Sequence, residues 1–301
     1  MPNRVEHDVL KIRLGVAPAA GTGPAEFAGL AERLESAGVD SLWLSELVYS
    51  PEVDPMIGMT HALARTSKLK VGTGVAILPG RHPVLVAKQL LTLAGLAPKR
   101  VLPVFGLRPA RANEHDLFPV PAGRRAAVFD ESLVLLRRLL EEDSVSFSGS
   151  FFQVEDVSLG PRPAKRLDVW LGGSAPAALR RTGRLADGWL GSFHTPAQAH
   201  EAVVAIQAAA AEAGREIEED HFGLSLLVAD RGVPPELAAM AARRSPGAPL
   251  TDLVATSWAE ARRLVEQYIE AGLSKFVIRP GHGDFDGFLE KFQEELVPLQ
   301  N

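Results

Sequence analysis

Cysteine is absent from the 301 residues. A disulfide framework and a thiolate metal site are therefore excluded, and the composition suits a reducing cytoplasm. No apolar stretch reaches the ~18 residues that a transmembrane helix needs. The opening MPNRVEHDVL lacks the apolar core of a signal peptide, so the expectation is a cytoplasmic chain. Excess positive charge is missing too. The 37 acidic residues outnumber the 32 basic ones and give a formal charge of -5, so neither a nucleic-acid groove nor attachment to an anionic membrane is expected. The eight histidines show no HxH or HExxH spacing, and no metal site is expected. GxGxxG, Walker A and GxSxG strings are also absent.

What is present is a repeated alternation of apolar runs and helical periodicity. Hydrophobic residues make up 46% of the chain, enough for a large core. Short apolar runs begin near residues 12, 41, 70, 101, 168, 187, 222 and 275, with amphipathic segments between them. The phrase ESAGVDSLWL returns near the far end as IEAGLSKFVI: a helix, a glycine stop and a buried strand. Thr195 to Gln198 and Ser257 to Glu260 have the spacing of capping boxes, the first with Pro196 in the opening turn. Ser144 to Val157 alternates as a small hairpin around Gly149. The paired arginines 124/125 and 137/138 fall on the polar side of a helix expected over 121–142, as a solvated face would. Eight βα units favour a closed (β/α)8 TIM barrel over an open sheet, with insertions after strands 4 and 7. Such a barrel takes ~250 residues plus insertions. One domain is expected over 1–301, with the aperiodic stretch 230–253 an insertion or lid.

The organising stretch is Leu69 to Gly106, LKVGTGVAILPGRHPVLVAKQLLTLAGLAPKRVLPVFG. It reads as strand, crossover helix and strand, and the two strands are expected to be parallel. Glycine inside a buried strand is costly. Gly74 stands where the strand delivers residues to its carboxyl end, and a bulge there would set bare backbone against a flat ligand. In a barrel, ligands gather where strands end, which makes candidates of Pro18, of Ser45 to Leu47, and of the GLRPARANE segment from Gly106 to Glu114. Ser192, His194 and Arg279 belong to the same set, with loop or cap roles as the alternative. The GGSAP string (Gly172, Gly173, Ser174, Ala175, Pro176) opens a helix, whose first N–H groups carry partial positive charge and suit a phosphate.

VGTGVAILPGRHPV, together with WLGGSAPAALRRTGRLADGW, resembles the bacterial luciferase-like superfamily of flavin- and F420-dependent oxidoreductases. The resemblance runs over roughly 12–296. It implies a non-prolyl cis peptide at Gly74–Val75 under the cofactor ring, with Thr73, Gly74 and Val75 as ring contacts. It also implies a phosphate held by the loop from Gly172 to Pro176. Arg108 or Arg111 is a candidate contact to a phosphate or the cofactor tail, with an ordinary surface arginine as the equal alternative. GVDSLWLSEL resembles the family's acid–histidine motif, with Glu46 as the acid, although a salt-bridge carboxylate is the plainer alternative. Leu47 stands where sugar dehydrogenases of the family place a catalytic histidine, which argues against alcohol oxidation. Asn113–Glu114 resembles a family acid and makes Glu114 the expected proton donor or acceptor. The implied function is hydride transfer between deazaflavin C5 of coenzyme F420 and a small organic substrate. An FMN-dependent monooxygenase supplied by a flavin reductase is one alternative, and a non-catalytic cofactor-binding barrel is another. The resemblance also implies a homodimer.

Overall fold

The computed structural model describes residues 10–301, so the reading of residues 1–9 as free of a signal core lies outside the described residues. In chain order, β1 (Arg13–Val16) leads through α1 (Pro24–Phe27) and α2 (Leu30–Ser36) to β2 (Ser41–Leu44). Then come α3 (Pro55–Arg65), β3 (Lys70–Thr73), β4 (Ala76–Ile77), α4 (Pro83–Leu96), β5 (Val101–Leu102) and β6 (Val104–Gly106). Next are α5 (Arg125–Glu141), the antiparallel hairpin of β7 (Val145–Ser148) and β8 (Gln153–Val157), β9 (Trp170–Gly172), α6 (Pro176–Leu185) and β10 (Gly188–Ser192). The chain closes with α7 (Pro196–Glu212), β11 (Phe222–Val228), α8 (Pro235–Arg244), β12 (Val254–Ala255), α9 (Trp258–Glu270), β13 (Lys275–Pro280) and α10 (Phe285–Glu295).

Local chemistry accounts for the helix starts. Asp54 accepts from the N–H groups of Met56 and Ile57, and Pro55 needs no acceptor of its own at the first position of α3. Thr195 and Gln198 form the reciprocal capping box at the head of α7. The stretch 230–253 is more ordered than its aperiodic sequence suggests: it contains α8, and β12 behind it pairs with β11.

The strands of the main sheet are parallel and hydrogen-bonded in the order β4-β6-β9-β10-β11-β13-β1-β2-β3-β5, with β12 attached to β11. This corrects the expectation of a closed (β/α)8 barrel of eight unbroken strands. The sheet is a curled, open path, and its two ends are fragments of interrupted runs. The third apolar run breaks at Gly74–Val75 into β3 and β4, and the fourth breaks at Pro103 into β5 and β6. Proline has no N–H to donate to a ladder. Across the break, the Thr73 hydroxyl donates to the Val104 carbonyl at 2.7 Å and accepts from the Val104 N–H at 2.8 Å.

Helices cover the outside of this sheet. Leu133, Leu136 and Leu139 of α5 and Leu264 and Tyr268 of α9 are buried in the large cluster beneath them. A smaller cluster inside the curl contains Ala17, Trp43, Val104, Trp170, Leu190 and Val277. Burial of this kind is the main favourable term in folding. Arg137 is not on a solvated face as expected. With Arg166 and Arg215 it surrounds the buried carboxylate of Asp187 at 2.8–3.3 Å. Asp187 also accepts from the Val169 N–H at 2.9 Å, which fixes the start of β10 against β9. Burial alone would raise its pKa, but Arg137, the Val169 N–H and Arg166 outweigh it and leave the carboxyl below its ordinary range.

Candidate functional site

The carboxyl ends of the strands converge on the main chain of Gly74 and Val75, whose peptide bond is cis. Three polar groups around that bond are engaged by the chain. The Gly74 N–H donates to Leu44 at 2.7 Å, and the Val75 carbonyl accepts from the Glu46 N–H at 3.1 Å. The Gly74 carbonyl accepts from Ser45 Oγ at 3.0 Å and from Arg279 Nη2 at 3.0 Å. Arg279 reaches across from the end of β13 and is fixed by Ser225 Oγ on β11, to which its Nε donates at 2.7 Å. Burial lowers the Arg279 pKa, partly offset by Glu52. A guanidinium stays charged at neutral pH even so.

Glu46 is buried, and both of its oxygens are engaged by the chain itself. Oε2 accepts from the Ile77 N–H and from Arg81, each at 2.7 Å, and Oε1 pairs with the second nitrogen of the Arg81 fork. That is the geometry of a positioning carboxylate, which holds β4 to the end of β2. Thr73 is similarly occupied by Val104. Val75 sits in a cradle between two glycines. A Cβ on Gly106 would lie 2.7 Å from one of its methyls, and a Cβ on Gly172 would lie 3.0 Å from the other.

The loop after β9 leaves main-chain donors open. Gly173 takes φ +121°, a conformation that L side chains rarely adopt, and its carbonyl accepts from Trp189 Nε1 at 2.9 Å. Ala175 occupies the N-cap of α6 without a side-chain cap, and Pro176 follows in the first turn. Gly173 to Pro176 are exposed. Among the described residues the N–H groups of Ser174 and Ala175 have no acceptor. Two donors and a helix dipole are thus turned to the outside.

Glu114 lies on a 3-10 helix, Ala112–Leu117, and is fully buried. Its Oε1 accepts from the Tyr49 N–H at 2.9 Å and lies 3.8 Å from Arg111. Its Oε2 is buried with no hydrogen-bond partner. His194 is buried edge-on to Trp189, with ring centroids 5.1 Å apart. Its Nδ1 lies 3.0 Å from the Ser192 carbonyl, so in the neutral ring Nδ1 carries the proton and Nε2 is an acceptor. Burial pulls its pKa down, against a smaller upward pull from the Ser192 carbonyl.

Of the residues expected at the site, the structure gathers Ser45, Glu46, Gly74, Val75, Gly172 and Arg279 into one contact network. Pro18 joins them through a cavity of about 20 Å³ that it shares with Ser45, Trp43 and Arg279, room for about one water. Glu114 is tied to the loop that follows Leu47, through Tyr49. Arg108 and Ser192 are exposed, and Arg108 lies close enough to Arg125 to repel it. Sequence reading did not assign roles to Arg81, Ser225 or Tyr49. For Arg81 a signal existed in the RHPV string beside the bulge. For Ser225, in mid-strand, there was none.

Comparison with known proteins gives a family, relatives and similar solved structures. A family model described as luciferase-like monooxygenase matches residues 8–231. An uncharacterised protein of Mycobacterium tuberculosis is 34% identical over 158 residues, 52% of this chain and 54% of its own, so the chain spans about half the length of such curated relatives. An F420-dependent glucose-6-phosphate dehydrogenase of Beutenbergia cavernae is 26% identical, covering 95% of this chain and 97% of its own. Among solved structures, an F420-dependent secondary alcohol dehydrogenase with an F420–acetone adduct superposes with a TM-score of 0.81 at 19% identity, covering 97% of this chain and all of the other. The oxygenating constituent of a Pseudomonas putida diketocamphane monooxygenase, in complex with FMN, gives 0.73 at 17% identity, over 97% and 99% of the two chains.

Proposed function

We propose, since this chain belongs to the luciferase-like monooxygenase family, that it is an F420-dependent oxidoreductase. In this reading a deazaflavin ring rests against the Gly74–Val75 main chain. The observation that carries it is the grip of Arg279 and Ser45 on the Gly74 carbonyl, which fixes a face of bare backbone beside an uncapped helix terminus. The residues present fit such a group. Gly74 offers no side chain to obstruct it, Ser174 and Ala175 offer uncommitted N–H donors, and Glu114 retains one oxygen without a partner. Bound there, the deazaflavin supplies a two-electron hydride acceptor or donor.

The chain's own residues do the rest. Arg279 holds a positive charge against the Gly74 carbonyl, preorganised by two serines, and would favour negative charge developing on a group bound there. Glu114 holds or releases a proton at Oε2, the atom that no protein donor reaches. Glu46 positions the segment through Arg81 and is not itself a reacting group. Leu47 supplies no base for an alcohol, so the favoured direction is reduction of an activated, electron-poor double bond, with Glu114 as the acid. The proposal extends to one domain over the whole chain and to a homodimer.

A second reading, FMN-dependent oxygenation with reduced flavin supplied by a separate reductase, is favoured by the likeness to the FMN-bound structure. Titration with F420 and with FMN, followed by absorbance and fluorescence, separates the two. Saturable F420 binding without FMN binding is expected. The reverse would install the oxygenase reading, and binding of neither would end both. A carrier that never turns over would bind reduced F420 tightly and leave it unoxidised on single-turnover mixing with an enone.

A further inference from the structure

A larger cavity, of about 230 Å³, opens at the opposite edge of the sheet, where the strands begin. The starts of β1, β2, β3 and β13 contribute to its wall, and the indoles of Trp43 and Trp170 line it. Glycines make room for these rings: a Cβ on Gly15 would lie 2.4 Å from Trp43 Nε1, and one on Gly188 would lie 2.3 Å from the Trp170 ring.

The charge lining this cavity is lopsided. Asp40 is shared between Arg13 at 3.5 Å and Lys70 at 2.9 Å. Asp168 is shared between Lys165 at 3.8 Å and Arg166 at 3.5 Å, and Asp220 pairs with Lys275 at 3.0 Å. Lys11 and Lys99 also line the cavity; Lys11 acts on Asp220 from beyond ion-pair distance. Three carboxylates line the cavity against seven cations, one of which, Arg166, is also held by Asp187 at 2.9 Å and Glu141 at 3.0 Å, so positive charge remains in surplus in a chain whose formal net charge is -5. Flat apolar walls ringed by surplus positive charge suit a ligand with a flat body and an anionic head.

We propose that this cavity is a second ligand site, separate from the redox site, for a small organic anion that carries a ring and a phosphate or carboxylate group. Trp43 also lines the small cavity at Arg279, so the two sites share one wall. The proposal stands on the cavity and its charges, and holds whichever redox cofactor the other edge binds.

The test is an equilibrium titration of the full chain with phenyl phosphate, read by tryptophan fluorescence, because Trp43 and Trp170 lie in the wall. Saturable quenching is expected for phenyl phosphate, and none for benzylamine or benzyl alcohol. Lys99 and Lys165 are exposed, so Lys99→Glu with Lys165→Glu should leave the fold intact while weakening binding about tenfold through reversed local charge. Ala175→Asp, placed at the other edge, should bind phenyl phosphate as the parent chain does. Absence of saturable quenching, equal binding of the neutral alcohol, or an unchanged affinity in the lysine double variant would each overturn the proposal. So would loss of binding in Ala175→Asp, which would place the anion at the α6 terminus instead.

Discussion

Arg279 Nη2 and the carbonyl oxygen of Gly74 meet at 3.0 Å across 205 positions of sequence. The bond joins β13 to the chain between β3 and β4, and Ser45 and Ser225 hold the guanidinium at its other contacts. A charge is thereby fixed on the carbonyl of a residue that has no side chain.

Arg279→Met removes that charge and three hydrogen bonds at once. Bonds to charged groups contribute ~1.5–3 kcal/mol each, less what the arginine recovers by no longer being desolvated, so a net loss of about 2–4 kcal/mol is expected. Urea denaturation checks the stability. Arg279→Lys keeps the charge but cannot span Ser225 and Gly74 together. It should recover part of the stability while cofactor affinity, measured by titration, stays weakened.

Ala175→Asp should move stability and binding in opposite directions. Aspartate is a good N-cap where alanine is a poor one, and the exchange stabilises a helix by about 0.5–2 kcal/mol. The same carboxylate would occupy the N–H donors of α6 and repel a phosphate. Thermal melting of the free protein should rise while the cofactor dissociation constant increases. A parallel rise in affinity would remove the helix terminus from the cofactor site.

Glu114→Gln preserves the shape of the side chain and an acceptor for the Tyr49 N–H. Binding should survive while turnover falls, by ~10²–10⁴-fold if proton transfer is what Glu114 supplies. Separate measurement of affinity and single-turnover rate distinguishes this from general damage, which would lower both.

His194 gives the fold a pH dependence whose sign follows from its burial. Its folded pKa lies below the unfolded value near 6.5, so between the two the unfolded chain binds more protons than the folded one. Stability is then complete above pH 6.5 and declines as the pH falls from there towards the folded pKa. His194→Gln should flatten this part of the profile in denaturant titrations at stepped pH. An identical slope in the variant would assign the effect to another group.

Much of the local architecture was legible in the sequence because its causes are local. The Thr195–Gln198 and Ser257–Glu260 caps and the hairpin near Gly149 each announce themselves within a few residues, whereas the cis peptide beside Gly74 was implied only by the family resemblance. The sheet's openness did not. Periodicity located the third and fourth strands, but the interruption at Pro103 was hidden within a run whose neighbours are apolar. The arginines of α5 misled for a related reason. Arg137 reads as surface until Asp187, fifty residues later, is folded against it. Glu46 shows the same limit at the site itself. Its acid character was visible, but its bidentate partner Arg81, 35 residues on, decides that it positions the chain. Long-range ion pairs leave no trace in spacing.

The Thr73 hydroxyl, which stands in for a missing rung between the third and fourth runs, gives the sheet a fault line. Along that seam the Val104 amide is shielded from solvent hydrogen by a side chain, and side chains turn more freely than backbone. Deuterium uptake should therefore begin there, well before the continuous rows around β11 and β13 yield. A valine in place of Thr73, equal in shape but unable to bond, would leave the seam unstitched.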